Sequence, residues 1–209
     1  MIDAMRKSIK EHENGTVTMI EKSLTKGSIK LPQANIHQNN KTIEKLRKVS
    51  FNDLKFSILL INGPNLNMLG MRDPKQYGTF TLADVEKLSV DTAFSRGYKL
   101  ECFQSNYEGA IIEKIHAAMS IVDGIVINPG ALTHYSYAIL DAIDLCGLPV
   151  IEAHISDISS REDFRRISVV APACCGQIMG LGINSYTNAI HLLCDIIEKQ
   201  MQKDDKGAQ

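Results

Sequence analysis

From residue 55 onward, short apolar segments alternate with segments of helical periodicity, and this alternation limits the fold more than any other feature of the chain. The segment FSILLIN (56–62) is continuously apolar, which is typical of a strand buried on both faces of a sheet. Segments of helical periodicity separate this strand from the later predicted strands. The further predicted strands are YKLECFQ (98–104), GIVINPG (124–130), VIEAHI (150–155) and a fifth region within ISVVAP and GQIMGLG.

The helical segments carry their own start and stop signals. Thr81 is predicted to cap LADVEKLSVDTAFSR and Gly97 to end that helix, while Thr133 is predicted to cap HYSYAILDAIDLC and Gly147 to end it. The remaining predicted helices are YEGAIIEKIHAAMS, a short one around 161–166 and a closing one over about 185–200.

Strands that alternate with helices predict right-handed βαβ units, and therefore a parallel sheet covered by helices on both faces. The expected fold is α/β and flavodoxin-like, with five strands in the order 2-1-3-4-5. Ligands of such sheets bind beyond the carboxyl ends of the strands, where the strand order reverses. The topology therefore predicts the position of a site.

Polar side chains follow the predicted strands at that edge of the sheet. The first strand leads into NGPNLNMLGMRDPKQYG (62–78), the second into QSN (104–106), the third into NPGA (128–131) and the fourth ends in EAHIS (152–156). Amides, hydroxyls, an imidazole and a guanidinium converge there without a set of metal ligands. This composition indicates an acid–base site for a polar, oxygen-rich small molecule.

The loop after the first strand is longer than an ordinary βα turn, so it is a candidate lid over a bound substrate. It contains neither GxGxxG nor GxxxxGK[ST], which excludes the common phosphate-binding loops. Asn128 also stands where a phosphoacceptor receiver module needs an aspartate. Both observations argue against the non-catalytic uses of this fold.

Composition and charge exclude several other classes. The formal net charge of −1 argues against a dedicated nucleic-acid binder, and no apolar run is long enough to span a membrane. The N-terminus lacks the apolar core of a signal peptide, and the odd number of cysteines, five, has no CxxC spacing. We therefore expect a protein of the reducing cytoplasm with free thiols and without a metal site.

The charge distribution divides the chain after Asp53. Residues 1–53 hold ten Lys or Arg against six Asp or Glu, net +4, whereas residues 54–209 hold thirteen against eighteen, net −5. The first segment has few apolar residues to bury, so we interpret it as a flexible or weakly helical extension; a basic arm that contacts a partner is the alternative. The predicted catalytic domain spans 54–200, and 201–209 form a disordered polar tail.

Four motifs in this order resemble type II 3-dehydroquinate dehydratase: NGPNLNMLGMRDPKQYG, FQSNYEG, INPGALTHYSYAILDAI and PVIEAHISDISSREDFRRIS. The resemblance covers residues 55–197. It implies a flavodoxin-like enzyme without a cofactor that removes water from 3-dehydroquinate to give 3-dehydroshikimate by anti elimination through an enolate. This is the third step of the shikimate route to chorismate and the aromatic amino acids, and some members of the family serve quinate catabolism.

The resemblance also implies catalytic roles. Tyr77 matches the proton acceptor, and Arg72 matches the arginine that favours its phenolate and stabilises the transition state. His154 matches the general acid that protonates the departing hydroxyl. Glu152, two residues earlier in the predicted strand, is expected to project to the same side and to orient this imidazole. Asn65 matches the residue that holds the oxygen at the enolate.

The resemblance further implies a set of substrate ligands and an assembly. Asp141 matches an acid that reaches the site of a neighbouring subunit, and family members form trimers grouped into dodecamers. Arg161 is interpreted as structural or lid-supporting. The implied substrate-binding residues are Asn128, His134, Asp141, Ile155, Ser156 and Arg165.

Two other interpretations of the same fold stay open at this point. One is a flavodoxin-like small-molecule binding module without catalysis, for flavin or a phosphorylated signal. The other is an inactive paralogue used for assembly, which is disfavoured because every implied catalytic group is present in the sequence.

Overall fold

A five-stranded parallel sheet forms the centre of the described structure. The computed structural model of the chain describes residues 54, 56–71 and 79–207, with side chains to residue 203. The strand order is β2-β1-β3-β4-β5, which confirms the predicted flavodoxin-like topology. The strands are β1 (Phe56–Asn62), β2 (Tyr98–Gln104), β3 (Gly124–Asn128), β4 (Val150–His154) and β5 (Gly176–Met179).

Four α-helices cover the two faces of this sheet. They are α1 (Leu82–Ser95), α2 (Glu108–Ala118), α3 (Tyr137–Cys146) and α4 (Asn184–Gly207). The buried side chains of α1 and α4 pack with one set of alternating strand residues, and those of α2 and α3 pack with the other set. Because successive side chains of a strand point to opposite faces, each strand contributes to both apolar layers.

The helix α1 begins as the sequence predicts. The Thr81 hydroxyl accepts a hydrogen bond from the Asp84 backbone N–H, and the Asp84 carboxylate accepts one from the Thr81 backbone N–H. This capping box satisfies two N–H groups that have no partner within the helix. The helix ends just before Gly97, which has a φ of 85°, a value that glycine adopts at low cost.

The predicted cap of the third helix is wrong. Ser136, not Thr133, caps α3, because its hydroxyl accepts the Ile139 backbone N–H at 3.0 Å. The Thr133 hydroxyl instead donates to the carboxylate of Glu152. The end of the helix agrees with the prediction, since Gly147 follows it with a φ of 67°.

The chain after β4 is less regular than the sequence predicts. The expected short helix over 161–166 is replaced by separate 3-10 turns at Ile158–Ser160 and Asp163–Arg165. ISVVAP is not part of the fifth strand, because the 3-10 turn Ala171–Ala173 contains a proline that has no N–H for a ladder. Only Gly176–Met179 pairs with β4.

The closing helix extends beyond its predicted end near residue 200. Its backbone is helical to Gly207, which differs from the predicted disordered tail over 201–207. The segment after residue 200 is rich in Lys, Gln and Asp and contains no proline or glycine before Gly207, so nothing in it interrupts a helix.

Gly63 fixes the close approach of two connections at the carboxyl edge of the sheet. A Cβ atom at this position would lie 2.3 Å from the carbonyl oxygen of Pro129, which is far inside van der Waals contact. The Gly63 N–H donates to the carbonyl of Asn128 at 2.8 Å. Only glycine therefore permits the segment after β1 to lie against the end of β3.

Some predictions concern residues outside the described part of the chain. They are the extension over 1–53, the loop residues 72–78 with Arg72 and Tyr77, and the end of the tail at 208–209. None of the helices that the structure describes has the length and apolar character needed to cross a lipid bilayer.

We expect Thr81→Ala to lower the free energy of unfolding by about 1 kcal/mol, since it removes the hydroxyl half of the capping box. Urea unfolding at one fixed protein concentration measures the change. Thr187→Ala is the matched control, because the Thr187 hydroxyl makes an exposed hydrogen bond to the Asn184 carbonyl in the first turn of α4. Equal effects of the two substitutions would contradict a specific capping contribution.

Candidate active site

A polar pocket opens at the carboxyl edge of the sheet, beyond β1, β3 and β4. Amide, imidazole, hydroxyl and guanidinium groups face it beside a smaller number of apolar side chains. This is the place that the strand order predicts. The lining residues are Pro64, Asn65, Leu66, Asn128, Gly130, Ala131, His134, His154, Ile155, Ser156, Ile158, Arg161 and Arg165.

The strand β4 carries an imidazole and a carboxylate two residues apart. Glu152 and His154 point to the same face because side chains alternate along a strand. The Nε2 atom of His154 lies 2.9 Å from Oε1 of Glu152, and the carboxylate side chain is fully buried. His154 lines the pocket, so Glu152 supports it from the protein side.

Four side chains donate hydrogen bonds to the Glu152 carboxylate. Besides His154, the Thr133 hydroxyl donates to Oε1 at 2.6 Å, the Gln177 amide donates to Oε2 at 2.8 Å, and the Ser168 hydroxyl lies 2.9 Å from both oxygens. Burial alone raises the pKa of Glu152. The hydrogen bond and charge of His154, with the hydroxyls of Thr133 and Ser168, outweigh it and hold that pKa below its ordinary value.

Asn128 at the end of β3 is held by Tyr186 of α4, on the face of the sheet opposite to Glu152. Its Nδ2 atom donates to the Tyr186 hydroxyl at 2.7 Å, and its Oδ1 atom accepts the Gly130 N–H at 3.1 Å. The Tyr186 hydroxyl in turn donates to Oδ1 of Asn62 at 2.8 Å. These contacts fix the orientation of the Asn128 amide at the pocket wall.

Sequence reasoning missed Tyr186 as a contributor to the site. The residue is fully buried in α4, where an aromatic ring at a helical position indicates core packing. A hydroxyl group on such a ring needs a polar partner. This requirement is the signal in the sequence that Tyr186 has a polar partner. The sequence alone does not show that the partner is Asn128 of β3.

The segment after β1 is tied to the end of β2. Asn65 adopts a left-handed backbone conformation with a φ of 66°, which asparagine tolerates better than most residues. Its N–H donates to Oδ1 of Asn106 at 2.9 Å, and the Gln104 amide donates to the same oxygen at 3.1 Å. The Asn65 side chain is thereby positioned at the pocket.

The segment after β4 supplies cationic and hydroxyl groups. The Arg161 guanidinium donates to the Ser156 hydroxyl at 3.3 Å, and both residues line the pocket. Arg165 also lines it and pairs with Glu162 at 3.4 Å. The sequence indicates a structural or lid-supporting role for Arg161, and the structure places this residue at the pocket wall.

The 3-10 turn after β3 forms a further part of the pocket wall. His134 lines the pocket, and its Nδ1 atom lies 2.9 Å from the carbonyl oxygen of Ile167. This contact joins the turn to the segment that follows Arg165. Because Nδ1 of His134 is in contact with the Ile167 carbonyl, Nε2 is the other ring nitrogen, which does not make this contact.

The structure brings together most of the residues that the sequence selected. Glu152 stands behind His154 rather than in the pocket wall, and Asp141 is an exposed residue of α3 outside that wall. Arg72 and Tyr77 lie outside the described residues. Those that share the pocket are Asn65, Asn128, His134, His154, Ile155, Ser156 and Arg165.

Within the described ranges, no group of three or more His, Cys, Asp or Glu side chains is arranged to hold a metal ion. The groups that face the pocket are hydrogen-bond donors, amides and one imidazole backed by a carboxylate. Such an arrangement can bind hydroxyl and carboxylate groups of a ligand and can transfer a proton at His154.

Comparison with known proteins gives one consistent family. A family model described as dehydroquinase class II matches residues 56–194. A 3-dehydroquinate dehydratase of Anoxybacillus flavithermus is 57% identical over 140 residues, which are 67% of this chain and 95% of that protein. One of Caldicellulosiruptor bescii is 54% identical over 142 residues, 68% of this chain and 98% of that protein.

A solved structure agrees with these sequences. The crystal structure of a type II dehydroquinase from Butyrivibrio crossotus is similar with a TM-score of 0.65 at 49% sequence identity. The matched region is 66% of this chain and 97% of that chain. The similarity therefore extends over almost the whole length of the related protein.

We expect Glu152→Gln to destabilise the protein by about 2 kcal/mol at pH 7, because it sets an amide against side chains that donate hydrogen bonds. The pKa of Glu152 is lower in the folded state than its unfolded value of about 4.3. Ionisation of Glu152 therefore stabilises the fold fully above about pH 4.3, and this contribution is lost as the pH falls through the lower folded-state pKa. The difference between wild type and variant in free energy of unfolding should therefore shrink below about pH 4.3.

Denaturant unfolding of both proteins between pH 7 and pH 3 measures this difference. Glu113→Gln is the control, since Glu113 is exposed on α2 and its substitution should change stability little at any pH. A difference for Glu152→Gln that stays constant over the whole range would contradict the assignment of an ionised, hydrogen-bonded carboxylate.

Proposed function

This chain belongs to the dehydroquinase class II family, and we propose that it converts 3-dehydroquinate to 3-dehydroshikimate and water. The observation that carries the proposal is the family match over residues 56–194, which contains the complete sheet and the polar pocket at its carboxyl edge. The reaction is a lyase step, the third of the shikimate pathway toward chorismate and the aromatic amino acids.

The reaction removes a proton from the carbon beside the ketone and expels a hydroxyl one carbon further along the ring. We assign the first transfer to Tyr77, with Arg72 as the group that favours its phenolate. A tyrosine has an ordinary pKa near 10, so bringing it near neutrality requires about 4 kcal/mol of differential stabilisation. A guanidinium in a poorly solvated site supplies stabilisation of this kind, and it also stabilises the developing enolate.

We assign the second transfer to His154, which protonates the hydroxyl as it leaves. Three observations support this assignment: the ring lines the pocket, its Nε2 atom contacts the buried Glu152 carboxylate, and histidine exchanges protons near neutral pH. Because Nε2 faces Glu152, Nδ1 is the nitrogen available to the substrate. We propose that the two transfers occur on opposite faces of the ring, as an anti elimination through an enolate.

The remaining polar groups are assigned to the substrate's hydroxyls and carboxylate. Asn65 holds the oxygen at the enolate, while the amide of Asn128 and the imidazole of His134 bind ring hydroxyls. The N–H groups of Ile155 and Ser156 with the Ser156 hydroxyl bind the carboxylate, and Arg165 adds a further contact. The support for these roles is that all six residues line one pocket.

The non-catalytic alternative, a flavodoxin-like small-molecule binding module, has no comparable support. The relatives that match over most of their length are named as dehydratases. The pocket also has an imidazole backed by a carboxylate, a combination that simple ligand binding does not require.

We also propose that the chain assembles into trimers grouped as dodecamers and works in the reducing cytoplasm. Asp141 is exposed on α3 and outside the pocket wall, which is consistent with a role at the site of a neighbouring subunit. The five cysteines, all in the described part of the chain, are free thiols, which supports a reducing compartment.

We expect the purified protein to convert 3-dehydroquinate to a product with the ultraviolet absorption of a conjugated enone. Tyr77→Phe should lower kcat by at least about a hundredfold, because it removes the proton acceptor and leaves the ring in place. Tyr98→Phe is the matched control: the Tyr98 hydroxyl is buried at the start of β2 without a hydrogen-bond partner among the described residues. Full turnover by Tyr77→Phe would contradict the assigned base.

We expect light scattering of the full-length chain to give a mass near twelve times the 23.1 kDa of one protomer.

Asp141→Ala should raise KM more than it lowers kcat, because Asp141 is assigned to substrate binding across a subunit boundary. Asp144→Ala, one further carboxylate of α3 that is exposed, is the control. A monomer with full turnover would contradict the proposed assembly.

A further inference from the structure

The Glu152 carboxylate is surrounded by donors that come from separate parts of the chain. We call Thr133, Ser168 and Gln177 the donor cluster. Thr133 belongs to the turn after β3, Ser168 to the segment before the 3-10 turn Ala171–Ala173, and Gln177 to β5. No residue of this cluster lines the pocket. They can therefore affect the reaction only through Glu152 and His154.

The direction of the Ser168 hydrogen bond is fixed by its other partners. The hydroxyl oxygen accepts the backbone N–H of Val170 at 3.2 Å and that of Ala171 at 2.9 Å. A hydroxyl group has two acceptor positions and one proton. Both acceptor positions are occupied by backbone groups, so the proton is directed at Glu152.

Gln177 reaches Glu152 by sheet register. The two residues are direct partners across β4 and β5, and the alternation of side chains places both on the face that packs with α2 and α3. The Gln177 amide donates to Oε2 at 2.8 Å, whereas the His154 ring contacts Oε1. The two carboxylate oxygens therefore serve different partners.

This division of the two oxygens fixes the rotation of the carboxylate group. Thr133 and His154 share Oε1, Gln177 holds Oε2, and Ser168 spans both. Because the acceptor for Nε2 of His154 cannot turn away, the imidazole keeps Nε2 toward Glu152 and Nδ1 toward the pocket. Donors on every side also oppose protonation of the carboxylate.

We propose that Gln177 and Ser168 are positioning residues of the reaction, which hold Glu152 ionised and oriented so that His154 presents Nδ1 to the substrate. The inference rests on the proposed function for its link to turnover. It also explains why the fully buried Glu152 carboxylate stays ionised. Within the described part of the chain, His154 is the one basic side chain that pairs with it.

Few other titratable groups face this carboxylate from the described elements. His154 is the titratable partner on β4, and the thiol of Cys174 lies within electrostatic range at the end of the 3-10 turn. The burial of Cys174 raises the pKa of its thiol far above neutrality, so this group stays uncharged over the range of an activity assay. From β3 the register neighbour is the apolar Ile127, and from β5 it is Gln177.

The test is Gln177→Met, which keeps the length of the side chain and removes its N–H donors. We expect kcat at pH 7 to fall about tenfold with KM nearly unchanged, because a less firmly held carboxylate orients His154 less well. The carboxyl ¹³C signal of Glu152 should titrate about one pH unit higher than in the wild type. Gln200→Met, at an exposed position of α4, is the matched control.

Ser168 provides a second, independent pair of variants. Ser168→Ala removes the hydroxyl and should lower kcat and raise the titration of Glu152 in the same way, while Ser168→Thr retains the hydroxyl and should restore the wild-type kcat and titration. Thermal unfolding of each variant separates a folding defect from the effect on Glu152. If Gln177→Met does not fold, the comparison of alanine with threonine at position 168 decides the proposal.

The outcomes separate this inference from the proposed function. An unchanged kcat and an unchanged Glu152 titration in folded Gln177→Met would overturn the inference, as would a loss that appears only in KM. Absence of turnover by the wild-type protein would instead overturn the proposed function. In that case the Glu152 titration still tests the donor cluster, since it requires no substrate.

Discussion

The buried carboxylate of Glu152 is the group on which the arrangement of the site depends. Transfer of an ionised carboxylate out of water is costly unless hydrogen bonds replace its hydration. Here the replacement comes from the turn after β3, from β4 itself, from the segment after residue 167 and from β5. A single charge therefore joins four segments, and the same contacts orient the imidazole of His154.

The pocket is held from both faces of the sheet. Asn62, Asn128 and Gln104 lie at one level across three neighbouring strands, because β1, β2 and β3 are paired in register. Tyr186 of α4 contacts the first two from one face, whereas Glu152 and His154 lie on the other face. The parallel sheet is thus the rigid element that sets the distance between the amide side and the imidazole side of the site.

The alternation of apolar and helical segments was sufficient to predict the strand order and the edge where the pocket lies. It was not sufficient for the details of the loops. The sequence predicts Thr133 as a helix cap, but the helix begins later, at Tyr137, where Ser136 caps it, so the Thr133 hydroxyl is left to donate to the buried Glu152 carboxylate. ISVVAP has the composition of a strand, yet its proline and the hydroxyl of Ser168 form a turn.

The sequence by itself determined the class of the fold, the polar character of the strand ends and the order of the motifs, because these depend on local periodicity and on residue type. Only the tertiary structure decided which polar groups meet. Tyr186 donates to Asn62 over 124 residues of sequence, and Gln177 meets Glu152 through the register of two strands. Contacts of this kind leave no periodic signal in the chain, since they arise from the packing of elements whose own patterns report only burial.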